Sequence, residues 1–342
     1  MVRIKDIAKE AGVSPTTVSN VIHGNTKKVS KANIDKIQRI LEKNQYIPSM
    51  SALMLAENRS RLIGVLIGER EGKRRSIASD PFTSVILNSL ELEIYRQNYY
   101  MLFHLANSQE ESWKLATTWK VEGLITLGLS SEENLELSEK CQIPLVSIDN
   151  YYGEEKVANI GLQDFEGGYA MGRFLAEEGH KDILFLADND VGVDHERWLG
   201  VQKAVGEYGA KGAVAGRKIM PENRELRKAW LEDNLEELKS RDVLFFASDF
   251  YALEAIHFLQ DKGIEIPRDV SVAGFDDSPY AEICRPEITT VRQNIMKKGQ
   301  EAVKRLTSLI QGEEFKGQER LPVEVVIRDS VKRKRSEERR VG

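Results

Sequence analysis

Three aspartates stand directly after apolar, strand-like runs. Asp149 follows Leu145-Val146-Ser147-Ile148, Asp249 follows Phe245-Phe246-Ala247-Ser248, and Asp276 ends Ser271-Val272-Ala273-Gly274-Phe275. Ligands of open parallel sheets bind beyond the carboxyl ends of the strands, so these carboxylates fall where a binding site would. Carboxylates so placed suit neighbouring sugar hydroxyls, which donate to them. Each residue also has a plainer reading. An Asp at a strand end can cap the next helix.

Other chemistries lack their residues. No P-loop, strand-linked Gly-x-Gly-x-x-Gly, Gly-x-Ser-x-Gly elbow or His-Glu-x-x-His is present. The histidines (His23, His104, His180, His195 and His257) do not cluster in sequence. Cys141 and Cys284 are isolated, with no Cys or His at metal-ligand spacing, and read as reduced structural thiols. We therefore expect neither an enzyme nor a metal or cofactor site.

The elements that carry these residues alternate. Apolar runs at residues 62–67, 123–127, 145–148, 183–186, 243–247 and 270–275 read as buried parallel strands. Amphipathic stretches at 85–97, 165–178, 199–208, 252–262 and 295–309 read as helices between or after them. This alternation predicts an α/β fold of doubly wound sheets. Its length exceeds one comfortable core, so two lobes are expected. The charged stretch at 69–75 reads as a solvated loop, and 222–239 as an exposed helix face. No apolar run approaches the roughly 20 residues of a membrane span. The start lacks the apolar stretch of a signal peptide, which predicts a cytoplasmic protein.

A second chemistry lies at the start of the chain. Ile4, Ile7, Ala8 and Ala11 recur at helical spacing, Gly12 permits a turn, and Ser14-Pro15 reads as N-cap and first residue of a second helix. Val18, Val21 and Ile22 form its inward face. Thr16, Thr17, Ser19, Asn20 and His23 lie partly or wholly on the other side and can reach phosphates or base edges. Ser30 caps a third helix with Ile34, Ile37, Ile40 and Leu41 inward. This is a helix-turn-helix, spaced to enter a DNA major groove. Residues 1–61 hold 11 Lys/Arg against 5 Asp/Glu, whereas the rest of the chain holds 38 against 49. A basic head on an acidic body suits a head that meets phosphates.

The segment Ile4 to Ile22, with Val29-Ser30 and Tyr46-Ile47-Pro48, resembles the head of the LacI/GalR family of bacterial transcriptional regulators. The likeness extends over nearly the whole chain. It implies a helix-turn-helix domain at 1–47, a hinge helix and linker at 48–61, a two-lobed body like a periplasmic sugar-binding protein at 62–330, and a charged, disordered tail at 331–342. It implies crossings between lobes near Gly161, Val291 and Leu321. Base contacts would come from Pro15, Thr16 and Asn20, with Ser14, Thr17, Ser19, His23 and Tyr46 beside them. Asn20 stands where many members carry Arg, which shifts the preference from guanine toward adenine. Leu55, after Ala52, falls at the position of the hinge leucine that wedges into the minor groove.

By the same resemblance Arg197 occupies the Arg-x-x-Gly motif Arg197-Trp198-Leu199-Gly200, where its guanidinium fork suits sugar hydroxyls or pairs with a carboxylate; Phe82, in Asp80-Pro81-Phe82-Thr83, could lie against a sugar face; and Leu162 takes a pocket position that is aromatic in some members. The effector set is then Phe82, Asp149, Leu162, Arg197, Asp249 and Asp276. The resemblance implies a homodimeric repressor of carbohydrate-utilisation genes that binds a near-palindromic operator and is switched by a small effector between the lobes. Some members answer to purines, and one branch to a phosphorylated carrier protein. The three aspartates favour a neutral polyhydroxylated ligand over an anion. A sugar-binding protein with no DNA role is disfavoured by the head.

Overall fold

The computed structural model describes residues 2–47, 54, 58–68, 81–151, 157–314 and 317–332. The chain forms two compact units, Met1–Arg61 and Leu62–Gly342. The expected wedge Leu55, the charged stretch at 69–75 and the tail beyond Lys332 lie outside the described residues.

The first unit is α1 (Ile4–Ala11), α2 (Pro15–Ile22), a short 3-10 turn (Thr26–Lys28) and α3 (Lys31–Lys43). Ile7, Ala8, Ala11, Val18, Val21, Ile37 and Ile40 close its core, with Ile4, Ile22, Ile34, Leu41 and Tyr46 packed around them. Gly12 ends α1 in the left-handed region at φ +68°, which a β-carbon disfavours. Ser14 accepts from the Thr17 N–H at 3.1 Å and Ser30 from the Asn33 N–H at 3.4 Å, so both helices start where the sequence places them.

The second unit holds two six-stranded sheets. The first comprises β1 (Leu62–Gly68), β2 (Tyr100–Ala106), β3 (Gly123–Leu127), β4 (Leu145–Ile148), β5 (Ala158–Leu162) and β11 (Gln318–Leu321), all parallel, in the order β11-β5-β4-β3-β1-β2. The second comprises β6 (Asp182–Ala187), β7 (Val214–Ile219), β8 (Val243–Phe246), β9 (Ser271–Asp276), β10 (Thr289–Arg292) and β12 (Glu324–Val326), in the order β12-β10-β9-β8-β6-β7. Only β12 runs antiparallel, against β10. Alternation splits each continuous apolar run between two cores. Ile183 and Phe185 enter one cluster and Leu184 and Leu186 another, so both faces of the sheet are covered.

In chain order the helices of this unit are α4 (Pro81–Arg96), α5 (Gln109–Trp119), α6 (Ser131–Cys141), α7 (Asp164–Glu177), α8 (Gly192–Tyr208), α9 (Arg224–Asp233), α10 (Leu235–Ser240), α11 (Asp249–Asp261), α12 (Pro279–Ile283) and α13 (Ile295–Ile310). The chain crosses between lobes three times. β5 leads into α7, β10 leads into α13 (which packs on the first sheet), and β11 leads into β12. These crossings lie within a few residues of Gly161, Val291 and Leu321, as expected.

Three readings need correction. Helix α8 begins at Gly192 rather than near 199, because its first turns bury Asp194 and Arg197 and so break the apolar period. The stretch 222–239 is not one exposed face. It divides into α9 and α10 at Asn234, and Arg227 is only 3% exposed, with its guanidinium on Glu254 at 2.5 Å. The ordered chain also runs past 330, since Val331 is buried and the Lys332 N–H donates to Ser271 Oγ at 3.0 Å.

Candidate functional site

Two strand ends dominate the cleft. After β4 the chain turns at Asp149 with φ +56°, and after β9 at Asp276 with φ +116°. Both are conformations that L-residues adopt at a cost, of the kind that gathers at binding sites.

Lys298, on α13, is fully buried and donates to both Asp149 oxygens at 2.9 and 2.8 Å and to Gln293 Oε1 at 3.0 Å. Gln293 in turn donates from Nε2 to Asp276 Oδ1 at 2.5 Å. Ser248, the N-cap of α11, also reaches Asp276. Burial pushes the Asp149 carboxyl up against the pull of Lys298. It pushes Asp276 up to about 6, with Arg197 opposing.

The second cluster centres on Arg197. Its Nε donates to Asp164 Oδ1 and its Nη1 to the Ala247 carbonyl, each at 2.7 Å. Its guanidinium lies 3.6 Å from the Phe275 ring centroid. Burial works against this charge, but Asp164, Asp276 and Asp194 together hold it above its ordinary range. Tyr151 donates to the other Asp164 oxygen at 2.5 Å and accepts from the Leu162 N–H at 2.8 Å. Asp194 is pushed up to about 8, first by burial, with neighbouring Asp188 adding to the effect. Asn189 donates to both of those carboxylates at 2.8 Å.

The arrangement presents hydrogen-bonding groups on paired charges. Each buried cation is matched by a carboxylate: Lys298 by Asp149, Arg197 by Asp164. Among the described residues no hydrogen bond uses Arg197 Nη2, while the Asp276 carboxylate is reached by Gln293 and Ser248. Arg197 Nη2 can donate to a ligand, and the Asp276 carboxylate has further acceptor capacity for one. Of the other carboxyls, Asp194, at about 8, holds its proton at neutral pH, whereas Asp276, at about 6, is largely ionised and tips the balance negative.

The sequence-derived residues divide. Asp149, Arg197 and Asp276 come together. Phe82, in the first turn of α4, joins them, but the Lys298 ammonium lies 5.1 Å from its ring centroid and occupies one side of the ring. Leu162 and Asp249 are both fully buried and committed to other contacts. Leu162 is 0% exposed, packed into the hydrophobic core of β5. Asp249 is likewise 0% exposed, and its carboxylate is spent on the Thr290 hydroxyl at 2.6 Å and the Ser278 N–H at 2.7 Å. Asp249 therefore holds the start of α12 and does not cap the next helix, α11, whose N-cap is Ser248. Ser248, one residue earlier, is the group that turns toward Asp276. Sequence reading missed Tyr151, Asp164, Ser248, Gln293 and Lys298. A lysine on the apolar stripe of α13, beside Ala302 and Leu306, was the one signal available.

In the first unit Pro15 and Thr16 stand exposed at the start of α2. Ser14 and Thr17 face each other, their hydroxyl oxygens 2.9 Å apart. Ser19, Asn20 and His23 are half-buried along the helix, and Tyr46 packs at the core's edge. A helix N-terminus with exposed small polar side chains is suited to a phosphate backbone and base edges.

Together these units define a class: a two-lobed, ligand-binding body carrying a helix-turn-helix head. The chain matches the model described as bacterial regulatory proteins, lacI family, over residues 3–49, and the periplasmic binding protein-like domain over 173–331. It is 32% identical to the HTH-type transcriptional regulator MalR of Clostridium butyricum, over 96% of this chain and 98% of that protein. It is 30% identical to the HTH-type transcriptional repressor PurR of Vibrio parahaemolyticus serotype O3:K6, over 97% and 99%. The lac repressor dimer bound to operator and the anti-inducer ONPF superposes with a TM-score of 0.83 at 25% identity, over 96% of this chain and 98% of that one. The chain belongs to the LacI family of DNA-binding transcriptional regulators. Among the described residues no helix is long and apolar enough to cross a membrane.

Proposed function

We propose that this regulator represses carbohydrate-utilisation genes and is switched by a small neutral sugar held between Asp149, Tyr151, Arg197 and Asp276. It acts in the cytoplasm as a homodimer. Residues 1–47 read the half-sites of a near-palindromic operator, 48–61 form the hinge, and the body from 62 onward binds effector and partner. Pro15, Thr16 and Asn20 read bases, the neighbouring Ser14, Thr17, Ser19, His23 and Tyr46 contact the backbone, and Leu55 wedges into the minor groove. No catalysis is involved. By linkage, an effector that weakens operator binding must itself be weakened by the operator to the same degree.

The observation that carries the sugar reading is the charge pairing. Both buried cations are already neutralised, by Asp149 at 2.8 Å and by Asp164 at 2.7 Å, while the Asp276 carboxylate remains. A phosphate or carboxylate would enter against this field, whereas hydroxyls can donate to Asp276 and accept from Arg197. The test is a thermal-shift and calorimetric panel of mono- and disaccharides, sugar phosphates, hypoxanthine and guanine. A ligand of the folded state raises the midpoint by mass action. We expect a hit among the neutral sugars that Arg197→Ala and Asp276→Ala each abolish. Binding only of purines or of phosphates would overturn the sugar assignment.

A further inference from the structure

A buried lysine needs a reason. Lys298 lies on the inward stripe of α13 with Gly299, Ala302, Val303 and Leu306, where an apolar residue would cost nothing to bury. It is tolerated there because three oxygens cover its ammonium. Those oxygens belong to groups with different allegiances. Asp149 ends β4 of the first lobe. Gln293 lies on the second crossing, between β10 and α13. Gln293 then holds Asp276, which ends β9 of the second lobe, through its side chain at 2.5 Å and through its N–H to the Asp276 carbonyl at 3.3 Å. A second polar chain spans the first crossing: Tyr151 to Asp164 at 2.5 Å, Asp164 to Arg197, and Arg197 to the Ala247 carbonyl of the second lobe, each at 2.7 Å. Both chains start from the same short turn, at Asp149 and Tyr151.

We infer that Lys298 is a positioning residue that fixes Asp149 and forms the centre of a latch, Asp149–Lys298–Gln293–Asp276, which sets the angle between the lobes. The latch rests on the cleft being the effector site but not on the effector being a sugar. A ligand that takes an oxygen of Asp149 or Asp276 competes with Lys298 or Gln293 for it. The same contact that recognises the ligand thus loosens or tightens the tie across the hinge. A core position made polar gains this responsiveness, because hydrogen bonds exchange partners where close-packed methyls do not.

The test reads lobe geometry without any effector. Spin labels are placed on the full chain at the exposed positions Glu139 (α6) and His257 (α11), one in each lobe, with Cys141 and Cys284 replaced by serine and alanine. Labelled protein is diluted with unlabelled protein so that pulsed EPR reads distances within one chain. Gln293→Leu cuts the latch at its middle link. Lys298→Met alone strands the Asp149 charge and risks unfolding, so it is paired with Asp149→Asn, which removes both charges. We expect both variants to shift and broaden the interlobe distance distribution, and the exposed control Lys304→Met on the same helix to leave it unchanged. If both latch variants keep the parent distribution, even with a lowered melting temperature, Lys298 is merely a structural ion pair and the latch is wrong. A changed distribution in a protein that binds no sugar would sustain the latch and remove only the sugar reading.

Discussion

Gly200→Ala tests how Arg197 is delivered to the cleft. The fourth residue of the Arg-x-x-Gly motif lies where α7 and α8 touch backbone to backbone. A Cβ at position 200 would fall on the Phe165 carbonyl oxygen, 2.5 Å from the Tyr169 nitrogen and 3.0 Å from the Gly168 carbonyl carbon. Position 168 on the facing helix is as tight, with a Cβ there lying on the Arg197 carbonyl and 2.7 Å from its carbon. Neither neighbour is a flexible side chain that can swing aside. The helices would have to part by roughly 1 Å, which in a close-packed interior places the cost near the top of the overpacking range, about 3 kcal/mol. That movement also draws Arg197 off Asp164, so sugar affinity falls by about tenfold or more, the equivalent of one weakened charge-assisted hydrogen bond. Gly206→Ala on the same helix is the control, since a Cβ there meets nothing within 4 Å. Helix propensity alone should make it neutral or stabilising by up to about 1 kcal/mol. Urea unfolding followed by tryptophan fluorescence compares the two. A Gly200→Ala protein that unfolds within about 1 kcal/mol of the parent and binds effector normally would refute the close-approach reasoning.

Two further perturbations have signed outcomes. Asp194 has a folded-state pKa of about 8 against an ordinary 3.8, so the folded protein holds that proton more tightly than the unfolded chain does. Its contribution to stability is complete below the ordinary value and is lost as pH rises through about 8. Asp194→Asn should therefore flatten the fall of the urea midpoint with rising pH and leave the variant more stable than the parent at the alkaline end; an unchanged slope would contradict the buried-carboxylate reading. In the head, Asn20→Arg should move the preferred base from adenine toward guanine by about 1–3 kcal/mol at one position of each half-site. Binding-site selection from a randomised operator pool checks this, and an unchanged preference would mean that Asn20 does not read a base.

The fold was legible because its signals were local. Caps at Ser14 and Ser30, the glycine turn at Gly12 and the apolar runs of β3 and β4 each specify their element without help from distant residues. The edge strand β2 was missed because half-buried and exposed residues mix along it. The candidate site was legible only at its strand ends, since strand-end position is readable from the apolar run before it. Which of those carboxylates faces the cleft was not readable. Asp149 and Asp249 follow similar runs, yet one meets Lys298 across 149 positions of sequence and the other closes on Thr290 and Ser278 inside its own lobe. Partner choice of this kind is a property of how the crossings bring α13 and β10 into place, and nothing local encodes it.

The backbone at the strand ends narrows how an effector can act. Asp149, Asp276 and Asp277 all hold positive φ, at +56°, +116° and +54°. Each such residue costs about 1–3 kcal/mol and persists only where its surroundings over-determine it. They do so here. The Asp149 N–H donates to the Ile160 carbonyl at 3.0 Å, and the Asp277 carboxylate takes Arg292 at 2.5 Å and Arg328 at 2.6 Å. The acceptors are thus held in position before a ligand arrives. A ligand shifts an equilibrium only by its differential affinity for the two states. With each strand end fixed within its own lobe, that difference has to come from the distance between Asp149 and Asp276. Of the groups that span it, Gln293 lies on the second crossing and Lys298 in the first turn of the helix that follows it.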